Sequence, residues 1–521
     1  DVTMDSQNHF DYKNNNAWRT GAGSVNNGAT YRRMNYSAQI DYNRTFGHHT
    51  VGAMGNFGRE EFATGSMQPY YRENWVFRAT YDYAKRYMLE YNGAYNGSEL
   101  FAAENRFVFF QSGALGWMIS EEPLFKKLNA KWIDFLKVRA SYGEIGDDNI
   151  GGRWLYRDIW ASGAGNAATG ITGVNGIGSP YSWYKQSQVG NPDIHWEVAR
   201  KFDAAVEFAI LNGTLVGTLD FFKENRSDIL LAGGSRSVPD YFGTTPPTAN
   251  LGEVDSKGYE LELRWNKQLT PNWRLWGNAS YTHAENHIIT AEDPGLKAEY
   301  QKKANKSINQ TYAYVDNGYY NTWDELYGST PHDTNDEDRM PGNYIILDYD
   351  GDGVITQLDN IPYGHTGIPQ NTLNFQIGVD YKGWSAFVQF YGVNNVTRYV
   401  NLASLGGVKN TAFFEGSYWT ADNWNGDVPL PRWGTQPSSY TEGTRYYFDG
   451  SYCRLKYAEI SYTFSGAELK KRTGLSNLKL FVNGNNLFLW SKMPDDRESN
   501  TGGGSAYPTQ RRFNIGFKLT L

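Results

Sequence analysis

Carboxylates at alternate positions are the sharpest chemical feature of the chain: Asp348-x-Asp350-x-Asp352-Gly353-Val354-Ile355-Thr356-x-x-Asp359. That spacing, with a glycine for the sharp turn and an acid at the twelfth position, suits a hard cation taking about 6–8 oxygen ligands. Asp348, Asp350, Asp352 and Asp359 would supply side-chain oxygens, Val354 its carbonyl, and Thr356 a hydroxyl or a bridging water. The ion expected is Ca²⁺, in a structural role that orders the long segment around it. Two features depart from an EF-hand: the twelfth residue is the shorter Asp rather than Glu, and the flanks do not read as helices. A solvated acidic turn whose glycines serve only the backbone therefore stands beside the Ca²⁺ reading.

Aromatic residues form a second group. Trp154, Trp160, Trp183 and Tyr184 fall in one long loop, and Phe413, Phe414, Trp419, Trp424 and Trp433 in another. Aromatic faces are platforms for sugar rings and for docking partners, so these tryptophans are the candidates for contact with a substrate or a covering partner. The competing expectation, which carries more weight, is that they pack loop against loop or form an interfacial girdle. Catalytic constellations are not found. The eight His are scattered, no HExxH or GxSxG occurs, and Gly502-Gly503-Gly504 is not followed by a strand and helix. Cys453 is the only cysteine, which rules out an intrachain disulfide and a thiolate metal cluster. The expectation is a protein that is not an enzyme and has no organic cofactor.

The elements that carry these groups have period two. From Asn371 to Tyr381, Leu373, Phe375, Ile377, Val379 and Tyr381 share one face, and Asn374, Gln376, Gly378 and Asp380 the other. Arg512 to Leu521 repeats the alternation, and Tyr259 to Trp265 sets apolar residues against Glu260, Glu262 and Arg264. Strands are expected near 33–43, 49–59, 72–84, 86–97, 106–119, 133–145, 195–210, 213–227, 250–265, 272–287, 371–381, 383–395, 452–464, 477–488 and 509–521, with a sixteenth if 4–13 forms one. The connections alternate. Tight turns at Phe46-Gly47, Ala84-Lys85, Asn212-Gly213 and Lys382-Gly383 and moderate ones at 120–132, 266–271 and 465–476 lie at one end. The long excursions 146–194, 228–249, 288–370, 396–451 and 489–508 lie at the other. Bacterial outer-membrane barrels sort their connections this way, short on the periplasmic side and long outside.

Composition agrees. Aromatics make up 16% of the 521 residues, with 38 Tyr and 17 Trp, while mean hydropathy is negative. A wall that is apolar toward lipid, polar toward a lumen and girdled by aromatics averages to such values. No run approaches the roughly 18 apolar residues of a membrane helix. Net charge is −7 and there is no Lys/Arg run, so no nucleic-acid partner is expected. The fold class expected is all-β: a transmembrane antiparallel β-barrel, with 15–16 of the ~22 strands of a plugged transporter. Residues 1–521 are read as the C-terminal part of one barrel domain whose opening strands and plug are not in this sequence.

Ordered motifs add a family resemblance. Asn191-Pro192-Asp193-Ile194-His195-Trp196-Glu197, Leu136 to Gly143 (LKVRASYG), Asn250 to Glu262 (NLGEVDSKGYELE), Pro341-Gly342 leading into Asp348–Gly353, Tyr452 to Tyr457 (YCRLKY) and Asn483 to Phe488 (NGNNLF) resemble, in order and spacing, the SusC/RagA-type TonB-dependent transporters. Cys453 takes a position that is usually apolar there, and Leu521 stands where such barrels more often end in Phe. The resemblance implies import of oligosaccharides or peptides across the outer membrane, beneath a SusD-like surface lipoprotein acting as a lid. It implies that the TonB complex supplies energy through a plug, and it is compatible with a dimer of such pairs. A soluble secreted β-rich protein that binds or degrades carbohydrate remains the alternative. It would bury the apolar rows that a barrel turns toward lipid.

Overall fold

The computed structural model describes residues 2–4, 10–12, 31–65, 68–128, 130–163, 183–400, 417–427, 429–430, 443–494 and 509–520. Fifteen of its strands form one antiparallel sheet in which each strand pairs with the next in the chain. They are β1 (Tyr31–Phe46), β2 (His49–Thr64), β3 (Tyr70–Tyr83), β4 (Tyr87–Ser98), β5 (Phe107–Met118), β6 (Ile133–Asp147), β7 (Glu197–Ile210), β8 (Leu215–Leu231), β9 (Ala249–Thr270), β10 (Trp273–Thr290), β11 (Asn371–Tyr381), β12 (Trp384–Asn394), β13 (Tyr452–Ser465), β14 (Asn477–Ser491) and β15 (Arg512–Thr520). All fifteen strands expected from alternation are present. The sixteenth is not part of the wall: Val2–Met4 pairs with Phe10–Tyr12 as a separate hairpin. Among the described residues the sheet ends at β1 and β15, which do not pair with each other.

Several strands outrun their expected ends, most clearly β9 at 22 residues and β1 and β2 at 16 each. Side-chain alternation lapses where a strand leaves its apolar surroundings. The backbone ladder is indifferent to side chains and continues.

Local chemistry explains the short edge. Lys382 and Gly383 both have positive φ (44° and 88°), the mirror-image turn whose twist matches antiparallel strands. The β5–β6 and β13–β14 connections contain the short helices Pro123–Lys127 and Ala467–Thr473.

Register makes the two faces continuous across strands. One row reads Ile377, Val388, Ala458, Gly484, Phe513, and the next reads Val379, Ala386, Ile460, Val482, Ile515. At Gly93 of the apolar face, neighbouring rings cover the glycine. A Cβ on Gly93 would lie 2.2 Å from Phe77 and 2.8 Å from Phe109, two rings stacked at 5.9 Å.

The other face is a lattice of polar pairs. Arg274 Nε donates to Asp380 at 2.7 Å, Gln389 Nε2 to Asn374 at 3.0 Å and Lys479 Nζ to Glu459 at 2.7 Å. Arg139 bridges Asp203, Glu207 and Asp220. Glu260, Glu262 and Arg264 lie on this face as expected, with Arg264 and Glu262 74% and 62% exposed.

The apolar face is in the open. Phe513, Ile515 and Phe517 are 72%, 88% and 68% exposed. The main hydrophobic clusters lie instead where the long connections meet the strand ends. A sheet that leaves one whole face apolar and places its cores at one edge is built for a solvent that is itself apolar.

Candidate functional site

The two longest connections fold together into a rim domain. Tyr314, Tyr319, Tyr344, Ile346 and Ile355 from the first pack with Val400, Trp419 and Tyr446 from the second. Asp316 joins them: its Oδ2 accepts from Thr444 Oγ1 and Arg445 N, both at 2.8 Å. The Arg445 side chain in turn donates to Tyr319 OH at 2.6 Å and to Gly426 O at 3.3 Å. Burial pushes the Tyr319 hydroxyl up to about 12 and raises those of Tyr344 and Tyr446 as well. These phenols stay neutral donors, and Tyr344 and Tyr446 hydrogen-bond to each other at 3.0 Å.

Trp419 belongs to this core. It was a candidate contact for substrate or lid, but it is 5% exposed and its indole N–H donates to Asn321 Oδ1 at 3.0 Å. Gly342 of the Pro341-Gly342 motif leaves room for it. Gly342 has φ +90°, and a Cβ there would lie 2.5 Å from the Trp419 ring and 2.6 Å from Leu430. The remaining tryptophans divide. Trp160 is 62% exposed and Trp424 50%. Trp154 is half-buried in a left-handed backbone (φ 58°) beneath the Arg153 guanidinium, 4.9 Å from its ring. Trp183 begins a short strand paired with Ile159–Gly163, but its side chain lies outside the described residues, as do Trp433, Phe413 and Phe414.

The acidic loop comes together in part. Oxygens of Asp348, Asp350 and Asp352 lie within 4.8 Å of one another. The loop backbone is already organised: Asp348 accepts from Gly351 N at 2.8 Å and Gly353 N at 2.9 Å, and Asp352 from Val354 N at 2.8 Å. Partial loss of water, with the neighbouring Asp352, Asp359 and Asp348 carboxylates, pushes the Asp350 carboxyl up. Three converging anions of this kind fit a divalent cation.

Asp359 and Thr356, expected as further ligands, have another task. Asp359 is fully buried, and its oxygens accept from Tyr349 N at 2.6 Å and Thr356 N at 2.8 Å. Thr356 Oγ1 accepts from Leu358 N at 3.0 Å, which closes a capping box. The loop also pairs with His332: Ile355 N donates to Pro331 O at 2.8 Å and Asp333 N to Ile355 O at 3.0 Å. Burial and the Arg339 cation hold the His332 imidazole down at about 4.

The other ordered motif is a clamp. Ile194 and Trp196 of Asn191–Glu197 are buried with Phe101, Phe110 and Ile150. Asn191 Nδ2 donates to Thr248 O at 2.9 Å, and Asn250 Nδ2 to His195 O at 2.9 Å and Asp228 O at 2.7 Å. Asn191 and Asn250, from two separate motifs, thus pin the loop before β7 to the start of β9. Nothing local in the sequence marks the Asp316–Arg445 link, a pair 129 residues apart.

A meander with one face for hydrocarbon and one for water, short turns at one edge and folded loops at the other, is the wall of an outer-membrane β-barrel. The chain belongs to the family of TonB-dependent receptor-like β-barrels, whose model matches residues 2–487. TonB-dependent receptor P3 of Formosa agariphila is 26% identical across 92% of this chain and 51% of that protein. TonB-dependent receptor SusC of Bacteroides thetaiotaomicron is 23% identical across 85% of this chain and 43% of that protein. The RagAB peptide transporter structure superposes with a TM-score of 0.69 at 17% identity, over 94% of this chain and 56% of the other.

The SusC/RagA resemblance thus rests on named relatives as well as motifs. The chain spans about half the length of the relatives it matches. The family is one of outer-membrane receptors and transporters, not enzymes, and it displaces the soluble carbohydrate-active alternative.

Proposed function

We propose that this chain supplies most of the wall and the outer rim of a TonB-dependent importer of oligosaccharides or peptides. The observation that carries the reading is the single fifteen-stranded sheet, apolar on one exposed face and laced with charged pairs on the other. The remaining part of the protein closes the barrel between β15 and β1 and plugs the lumen. The TonB complex acts through that plug, and a SusD-like surface lipoprotein closes over the rim, in the arrangement of a dimer of such pairs. Peptide cargo draws support from the fold shared with the RagAB peptide transporter. The exposed rings of Trp160 and Trp424 support either cargo, since both sugars and peptides stack on aromatic faces.

The rim holds a structural Ca²⁺ on Asp348, Asp350 and Asp352, with Asp359 bracing the loop from behind. Bound there, the ion neutralises carboxylates that otherwise repel and fastens the segment that pairs with His332. Uptake of a labelled oligosaccharide and a labelled peptide by cells expressing the full-length protein tests the import reading. Deleting the plug's TonB-contacting segment abolishes active uptake, and undiminished uptake contradicts the proposal.

A further inference from the structure

We infer that the apolar face carries a specific site for an anionic phospholipid of the periplasmic leaflet, on strands β11–β15. The inference rests on the membrane-barrel reading, and the face is not uniformly convex. Two adjoining concavities of about 520 and 760 Å³ run across it, sharing Ile460 and Val482. Register shows why. Ala386, Ala458 and Gly484 stand side by side or diagonally on neighbouring strands, between Ile377 on one flank and Phe513 on the other. Small residues form the floor and branched or aromatic ones the walls. The trough continues toward the short-turn edge between Trp384, Tyr462, Leu480 and Phe517.

Trp384 and Tyr462 form a ring pair at 4.9 Å there. Rings of this amphipathic kind mark the headgroup level. Immediately beyond them, the connection from β13 to β14 is the helix Ala467–Thr473, with Lys470, Lys471 and Arg472 in its last turn. Arg472 is engaged by Glu468 at 2.7 Å. Lys470 and Lys471 are exposed and make no ion pair among the described residues.

An apolar trough that runs to the short-turn edge, with two exposed ammonium groups on the connection that follows Tyr462, matches a lipid with one acyl chain in the trough and a phosphate on the lysines. A zwitterionic lipid would fill the trough equally well and gain less from the lysines. Charge selects the anionic class, at about fivefold per lysine near the surface.

Native mass spectrometry of the delipidated full-length protein in detergent, titrated with phosphatidylglycerol or phosphatidylcholine, tests the site. The expected result is a preference of more than tenfold for phosphatidylglycerol. It should fall below threefold in the Lys470→Gln/Lys471→Gln double variant, while Ala458→Phe weakens both lipids by filling the floor. Should Ala458→Phe fail to assemble, the lysine pair, which lies outside the wall, still decides. No preference in the unaltered protein, or a preference untouched by loss of both lysines, overturns the site while leaving the barrel standing. A protein that stays monodisperse without detergent and retains neither lipid overturns the barrel as well.

Discussion

Replacing Ile377 by arginine places a guanidinium in the middle of the face proposed to meet hydrocarbon. Ile377 lies four residues from Tyr381, whose ring stacks on Trp273 at 4.3 Å. At ~3.4 Å per residue and a strand tilt of ~40°, four residues rise ~10 Å above that girdle, close to the middle of an apolar band ~25 Å tall. Arginine at that depth costs about 2–4 kcal/mol. The control is one residue away: Gln376 faces Asn278 on the polar side at 3.4 Å, and Gln376→Arg should cost under about 0.5 kcal/mol, as a surface change away from special features does. Both values can be read from reversible denaturant titrations of the full-length protein folding into phospholipid vesicles. Equal costs for the two substitutions, or a negligible cost for Ile377→Arg, would refute the assignment of faces and with it the import proposal.

Gly342→Ala should loosen the rim domain by about 2–4 kcal/mol, combining a left-handed backbone penalty with overpacking against Trp419. Hydrogen exchange should quicken at residues 314–346 while the wall amides stay protected. Ca²⁺ at a hundredfold excess over its dissociation constant should slow exchange in residues 330–360 by about 2.7 kcal/mol, and Asp350→Asn should reduce that gain. Exchange indifferent to chelator would count against the site. The His332 imidazole titrates at about 4 in the folded rim against 6.5 when free, beside Arg339, Asp336 and Asp333. As pH falls the unfolded rim therefore takes up the proton first. The stabilisation is complete above about 6.5 and drains away down to about 4, by at most about 3 kcal/mol. Protection of the rim that is flat between pH 7 and 4.5, or unchanged in slope in His332→Asn, would show that this imidazole is not what couples the rim to acid.

Alternation by itself determined the wall. Leu373, Phe375, Ile377 and Val379 lie on one face because successive residues of an extended chain point to opposite sides, whatever the rest of the molecule does. Loop lengths settled which edge carries the short turns for the same reason, since pairing a strand with its immediate successor needs only a turn. The acidic spacing was likewise enough to bring Asp348, Asp350 and Asp352 together, because a tight loop is closed by its own backbone amides. Only the tertiary structure decided the rest. Trp419 and Trp160 look alike in sequence, yet one is sealed over Gly342 and the other lies open, because burial depends on a partner far away in the chain. Asp359 became a buried cap rather than a frontal ligand through its link to Tyr349 N. Asp316 and Arg445 meet through the packing of two loops that no local pattern relates. The trough floored by Ala386, Ala458 and Gly484 exists because strand register sets small residues from three separate segments beside one another, and register is a property of pairing rather than of any one strand.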